Sequence, residues 1–525
     1  MTDSISIQEG LYPTGFKRFI IVFTAILSTL LQLIGTTIVN VALRQISGSI
    51  GATTTEAAWV ITSYAISNVI VIPLSGMLSN LFGRKLYFTI SIALFTIASL
   101  MCGLSHSLWI LVFWRFIQGI GGGALMATSQ TIIVEAFPPQ KIGIGMSIFG
   151  AGVAVGPAIG PLMGGYLTDT LSWNWIFFIN IPLGLLATVL AWGYIENQKE
   201  RQKKNHLDWL GILFLSLGVG SLQFVLEEGN AYDWFQSNEI VLFSVIAIIG
   251  IIFFILWELK TANPATDLSL FKITNVALGA ILNFVIGAVL LGVIYSYPLF
   301  TQISLGWTST LTGLSLTPGA IMTAVGIVFV QKMSQRGANP KILVLIGFLM
   351  TIIFCFWMYL QSPDSNWDSM FWPMLLRGLG MSFLMLPILS ISIEGLKGYD
   401  LEQASGISNM ARQLGGAFGL ALISNRITNT SAINRNHLIS YVNNIDIVPT
   451  QTLQNIANLL TGNGYTMQES QLMATKILNY SVMKQTAILG YLDSFLVVGL
   501  ACIAVLPLIL FMRHHKEKTT TGVSH

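Results

Sequence analysis

The sequence predicts an all-α membrane protein of fourteen transmembrane helices with both termini in the cytoplasm. Three observations carry that prediction. First, 53% of the 525 residues are hydrophobic and only 9% are charged, against about 25% charged in soluble chains. The mean hydropathy is +0.71. Second, the apolar residues fall into fourteen runs long enough to span a bilayer, at roughly 17–43, 58–81, 86–105, 108–135, 141–167, 175–195, 208–227, 239–258, 275–300, 309–332, 341–361, 370–395, 402–425 and 487–512. A span needs about 20 such residues, and helices satisfy their backbone groups internally where open strands cannot. Third, Lys and Arg collect in alternate loops, which orients the chain.

The first run follows Lys17 and Arg18 and exceeds any signal-peptide core, so it reads as an uncleaved span. The inner loops then hold Arg84-Lys85, Lys141, Lys199 to Lys204, Lys260 with Lys272, Lys332 with Arg336 and Lys341, and Lys397; the C-terminal tail adds Arg513, Lys516 and Lys518. Among the short outer loops only Arg44 is basic, and the outer turn near 227–239 carries Glu227, Glu228, Asp233 and Glu239. One outer loop is long, about 427–485. Its apolar positions Leu453, Ile456, Leu460, Met473, Ile477 and Tyr480 recur at helical spacing and predict short amphipathic helices on the outer face, with a partly ordered surface loop as the plainer alternative.

An internal repeat organises the spans. Gln118 to Glu135 aligns without gaps with Arg377 to Glu394: Gly119, Gly121, Leu125, Met126 and Glu135 meet Gly378, Gly380, Leu384, Met385 and Glu394. The same offset brings Gly156, Ala158 and Gly160 to Gly415, Ala417 and Gly419, and the first span to the ninth. The chain thus divides into a six-helix bundle over 1–205, two inserted helices over 206–262, and a second six-helix bundle over 263–525 that carries the long outer loop. Parallel repeats of this kind build a binding site at their interface near the bilayer midplane.

Several functional classes lack support. A net charge of +3 and the absence of a basic arm argue against a nucleic-acid partner. Cys102, Cys355 and Cys502 each lie in an apolar run, so neither a disulfide framework nor a metal cluster is expected. No His-Glu-x-x-His or comparable constellation suggests an enzyme, and no cofactor is expected.

Three segments carry chemistry. The loop Gly76-Met77-Leu78-Ser79-Asn80-Leu81-Phe82-Gly83-Arg84-Lys85 is a tight basic turn at the inner leaflet. The fourth span, Leu111-Val112-Phe113-Trp114-Arg115-Phe116-Ile117-Gln118-Gly119-Ile120-Gly121, places Arg115 and Gln118 on one face. An arginine there either faces the bundle interior or snorkels from a helix end. The fifth span, Gly152-Val153-Ala154-Val155-Gly156-Pro157-Ala158-Ile159-Gly160-Pro161-Leu162-Met163-Gly164-Gly165, has small residues four apart for close helix packing, and prolines that bend it.

Together these segments resemble the signatures of the major facilitator superfamily, the last being similar to its antiporter signature. Ile34-Gly35-Thr36-Thr37-Ile38-Val39-Asn40-Val41-Ala42 and the run Trp173-Asn174-Trp175 to Gly184 resemble the first-helix and sixth-helix motifs of the fourteen-helix drug:proton antiporters. Gly220-Ser221-Leu222-Gln223, Asp233-Trp234-Phe235 and Asp267 to Lys272 resemble the EmrB type. The resemblance implies a major facilitator fold in a bacterial inner membrane. It also implies export of amphipathic drugs or toxic small molecules by proton antiport, with no cofactor beyond the proton gradient. An EmrA-like periplasmic adaptor and an outer-membrane channel are the implied partners. Two positions depart from the pattern: Gly35 stands where the family has an aspartate, and Asn80 where it has an acid.

The candidate site residues follow. For proton coupling and gating they are Arg115, Glu135, Asp169 and Asp493, the last near the outer part of the final span. For the cavity they are Asn40, Gln118, Met126, Gln130, Arg377, Met385, Asn409 and Arg412. Gly152, Gly156, Pro157, Gly160 and Gly164 are expected to pack the antiporter motif. If Arg377 and Arg412 face the cavity they favour anionic or zwitterionic cargo; if they pair with acids or carbonyls they are structural. A dedicated exporter of one metabolite, such as a siderophore, and a uniporter or importer are the competing functions.

Overall fold

A computed structural model of the chain describes residues 12–138, 141–196, 207–261, 263–396, 398–441 and 447–511. The basic residues Lys199 to Lys204, Lys397 and the C-terminal tail, which entered the orientation argument, lie outside them.

Long helices stand at all fourteen expected positions: α1 (Gly15–Ile50), α2 (Thr54–Phe82), α3 (Arg84–Gly103), α4 (Leu108–Ala136), α5 (Ile142–Thr170), α6 (Asn180–Tyr194), α7 (Trp209–Glu228), α8 (Asn238–Glu258), α9 (Thr274–Leu299), α10 (Ser309–Gln335), α11 (Pro340–Tyr359), α12 (Trp367–Ser392), α13 (Gly398–Tyr441) and α14 (Met467–Val505). Twelve helices are long and apolar enough, over their described residues, to cross a membrane. The two beyond that set are α5 and α13. Helix α13 is polar for a physical reason: its Glu402, Gln403 and Asn409 are buried against other helices and not against lipid. Helix α8 is the opposite case, with Leu242, Ile248, Ile252 and Leu256 more than half exposed, as a lipid-facing surface requires.

Local chemistry sets the helix ends. Thr53 and Glu56 form a capping box at α2, and Thr466 and Glu469 do so at α14. Pro340 opens α11 behind an Asn339 cap. Between α2 and α3 the turn is a single residue, Gly83 at φ +89°, a backbone conformation that side chains disfavour.

Helices α1–α6 pack around one another, α9–α14 do the same, and the two groups meet where α5 lies on α10 and α2 on α13. In repeat terms, the second helix of each half packs on the fifth helix of the other. Helices α7 and α8 pair with each other, and α7 reaches α2 and α13. Their crossing is backbone to backbone: a Cβ on Gly218 would lie 2.7 Å from the Ile251 nitrogen.

The long outer loop differs from the expectation of short surface helices. Helix α13 continues to Tyr441 and α14 begins at Met467, with the helix Ile447–Gly462 between them. At 1.5 Å per residue the 44 residues of α13 reach about 66 Å, against a hydrocarbon core of about 30 Å. A large part of α13 therefore stands outside the membrane with the start of α14. Nothing in the hydrophobic spacing separates an amphipathic surface helix from a prolonged transmembrane one, because both show the same period.

Candidate functional site

A cavity lies between the two halves. Helix α1 contributes Gln32, Leu33, Thr36 and Thr37; α9 contributes Gly287, Leu290, Leu291 and Ile294; α10 contributes Leu316, Gly319, Ala320 and Thr323; α12 contributes Arg377, Met381 and Met385; α13 contributes Asn409, Arg412 and Gln413. These residues lie at the middle and outer levels of their helices. Most of the wall is apolar, and methionines give it an adaptable surface.

Arg377 and Arg412 both line the cavity, and no carboxylate does so among the described residues. Arg412 donates to Asn409 Oδ1 at 2.8 Å and lies against the Met126 sulfur. Asn409 in turn donates to Gln130 Oε1 at 3.1 Å, which ties α13 to α4 across the interface. Among the described residues no acid pairs with Arg377. Of the expected cavity residues, Met126, Gln130, Met385, Asn409, Arg377 and Arg412 thus come together. Asn40 is exposed and lies outside the lining.

Arg115 and Gln118 are elsewhere, both fully buried inside the first bundle. Arg115 donates to the Val60 carbonyl at 3.0 Å, the Gly35 carbonyl at 3.3 Å and Gln118 Oε1 at 2.7 Å, and it covers the Tyr64 ring at 4.2 Å. It therefore fastens α4 to α1 and α2. At Gly35, which has no side chain to offer, Arg115 takes the backbone carbonyl. A Cβ at Gly35 would lie 3.0 Å from Phe95 Cζ, so the packing has closed over the missing side chain.

On the cytoplasmic side the halves are joined by charge. Arg84 Nε donates to Glu402 Oε1 at 3.0 Å, Ser79 Oγ donates to the same oxygen at 2.9 Å, and Arg84 Nη1 donates to Glu135. The Arg84 and Glu402 side chains are each 2% exposed, and that of Glu135 is 39% exposed. This gate spans α2, α3 and α4 of the first half and α13 of the second. Sequence reasoning missed Glu402. Its only local mark is that it is the carboxylate on the otherwise neutral face formed with Ser405, Asn409 and Gln413, which says nothing of its partner.

Asp493 is at the base of the outer projection. It accepts from Arg426 Nε at 2.6 Å and Thr430 Oγ1 at 3.0 Å, both on α13. Asp169 is exposed at the outer end of α5. The antiporter-motif glycines face α1: a Cβ on Gly152 would lie 2.6 Å from Ile26 Cγ2, on Gly156 3.0 Å from Leu33, and on Gly164 2.9 Å from the Ile38 carbonyl. Pro157 lies within α5, but its side chain is outside the described residues. We expect Gly164→Leu to force α1 from α5 at about 1–3 kcal/mol, read as a lower unfolding temperature and yield. Wild-type stability of that variant would refute close packing there.

The comparisons agree with this architecture. A sequence profile described as Major Facilitator Superfamily matches residues 25–420. The chain is 33% identical to the Multidrug export protein EmrB of Escherichia coli strain K12 over 457 residues, covering 87% of this chain and 88% of that one. It is 30% identical to the Fatty acid resistance protein FarB of Neisseria gonorrhoeae over 486 residues, covering 92% and 94%. In fold it is similar to the crystal structure of the human organic anion transporter MFSD10, with a TM-score of 0.56, 13% identity, and coverage of 93% of this chain and 100% of that one. With two six-helix groups around a central cavity and these relatives over most of its length, the chain belongs to the Major Facilitator Superfamily, as a multi-pass membrane transporter of the EmrB type.

Proposed function

We propose that the chain exports anionic amphipathic small molecules from the cytoplasm across a bacterial inner membrane, by alternating access driven by proton antiport without a cofactor. The cavity carries this reading: an apolar chamber between the halves holds two guanidinium groups and no carboxylate among its described lining residues. An apolar wall takes the body of an amphiphile, and Arg377 takes a carboxylate or phosphate through its fork of donors. The name of FarB, a fatty acid resistance protein, points to cargo of the same build.

The test is uptake into everted vesicles of an anionic amphiphile beside a cationic one of similar size. Arg377→Gln is expected to raise KM for the anion at least tenfold, about 1.4 kcal/mol, and to leave the cation unchanged or improved. Equal losses for both compounds would remove the charge preference.

Proton coupling is assigned in part to Asp493. Its contacts with Arg426 and Thr430 tie α14 to α13 at the base of the outer projection, so its charge bears directly on that junction. Asp493→Asn is expected to abolish cargo-dependent proton movement in the same vesicles; full coupling by that variant would take Asp493 out of the mechanism.

The adaptor reading rests on the outer projection. Leu459, Met467, Leu472 and Tyr480 there are each at least 60% exposed, an apolar surface beyond the bilayer. It suits an EmrA-like periplasmic adaptor leading to an outer-membrane channel. Crosslinking in native membranes followed by co-purification tests this, and no adaptor recovered would sink it.

A further inference from the structure

The two inserted helices have no part in the cavity, yet the outer end of α7 holds an unusual group of oxygens. Glu228 is 1% exposed, and its Oε1 accepts from Thr62 Oγ1 of α2 at 2.7 Å. Glu227 Oε1 accepts from Gln223 Nε2 at 2.7 Å, and Gln223 is 0% exposed. Thr62 lies against both carboxyls. Three acceptor atoms remain buried without a donor among the described residues: Gln223 Oε1, Glu227 Oε2 and Glu228 Oε2.

No described cation pairs with either carboxyl. On α13, which meets this turn where Asn230 donates to Ser424, Arg426 is taken by Asp493. On α2, Glu56 is turned to its own cap at Thr53. On the outer turn and the start of α8 the charged groups are Asp233 and Glu239, both acidic, and Tyr232 packs on Phe224. Two adjacent carboxylates without a cation, Glu228 buried and Glu227 half-buried with its Oε2 turned inward, are unfavourable, and so are buried acceptors without donors. One proton relieves both conditions: it removes a negative charge and supplies an O–H donor.

We propose that Glu227 and Glu228, with Gln223 and Thr62, form a proton-binding site at the outer end of α7, and that the bound proton holds the inserted pair against α2. The site lies on the side from which an inward proton gradient delivers its protons. It gives the chain a proton acceptor where Gly35 leaves the first helix without one. Loss of the proton places two like charges side by side and drives the outer end of α7 away from Thr62.

The test uses the full chain in lipid nanodiscs without cargo. Infrared difference spectra between acidic and alkaline buffer are expected to show a buried protonated carboxyl that disappears at high pH. That band should be lost in Glu227→Gln/Glu228→Gln and kept in Glu239→Gln. Spin labels on the outer turns of α2 and α7 are expected to separate at high pH in the wild type and to remain close in the double variant, whose amides donate as a protonated carboxyl does. If the double variant folds poorly, the single variants Glu227→Gln and Glu228→Gln must each diminish the band. An undiminished band in these variants, or a distance that ignores pH in the wild type, overturns the proposal. Because no cargo enters either measurement, its failure leaves the export reading standing, and failure of export leaves this site standing.

Discussion

Arg84→Ala is expected to leave the cytoplasmic side of the transporter unable to stay closed, with transport reduced at least a hundredfold. Among the described residues, the substitution leaves Glu402 buried with the Ser79 hydroxyl as its hydrogen-bond partner. Breaking a buried pair by removing one partner costs about 3–5 kcal/mol, and about 1.4 kcal/mol is tenfold in an equilibrium. The open and closed forms of a transporter differ by only a few kcal/mol, so this loss outweighs their difference. Glu135 contributes less, because its side chain is 39% exposed and water screens it. The measurement is labelling of Thr323→Cys in the cavity by an impermeant maleimide applied to the cytoplasmic side of everted vesicles. Wild-type protection in Arg84→Ala would show that the gate is held by something else. Arg84→Ala/Glu402→Ala is expected to recover stability without recovering closure, since the buried orphan charge is then gone but the tie between halves is not.

The second large effect is expected at Arg115. Its side chain is fully buried and donates to carbonyls on two neighbouring helices and to Gln118. Interhelical hydrogen bonds in membrane bundles are worth about 0.6–1.7 kcal/mol each, and a guanidinium over a desolvated ring adds about 2 kcal/mol. Arg115→Ala is therefore expected to destabilise the first bundle by about 3–5 kcal/mol, seen as a fall in unfolding temperature in detergent. Arg115→Lys should recover little, because one ammonium cannot reproduce the fork that reaches both α1 and α2. A Lys variant as stable as wild type would mean that charge alone matters here.

The fold was legible because lipid imposes a simple rule on sequence. Apolar runs, basic inner loops and the gapless repeat each read off one constraint, and together they outline two bundles with a pair between them. The cavity was legible where the repeat itself marked it: Met126 and Met385 are repeat mates and both line it. The alignment of Gln118 with Arg377 misled in one respect. The two side chains occupy matching positions, yet Gln118 serves Arg115 inside its own bundle while Arg377 faces the cavity. Pairing across the halves was the least legible feature. Glu402 meets Arg84 across more than three hundred residues of chain, and neither residue's neighbourhood in sequence mentions the other. The same holds for Thr62 and Glu228, which only the docking of α7 on α2 brings together.

The gate has one further property. At the offset that relates Gln118 to Arg377, the mate of Arg84 is Leu343 and the mate of Glu402 is Gly143. Where α2 meets α13 the halves are tied by buried charge, and where α5 meets α10 the corresponding contact sets Gly143 against the neutral Gln331 side chain. The fold is symmetric, but among the described residues its fastening is not. A face latched along one edge is expected to open inward first at that edge, between α2 and α13.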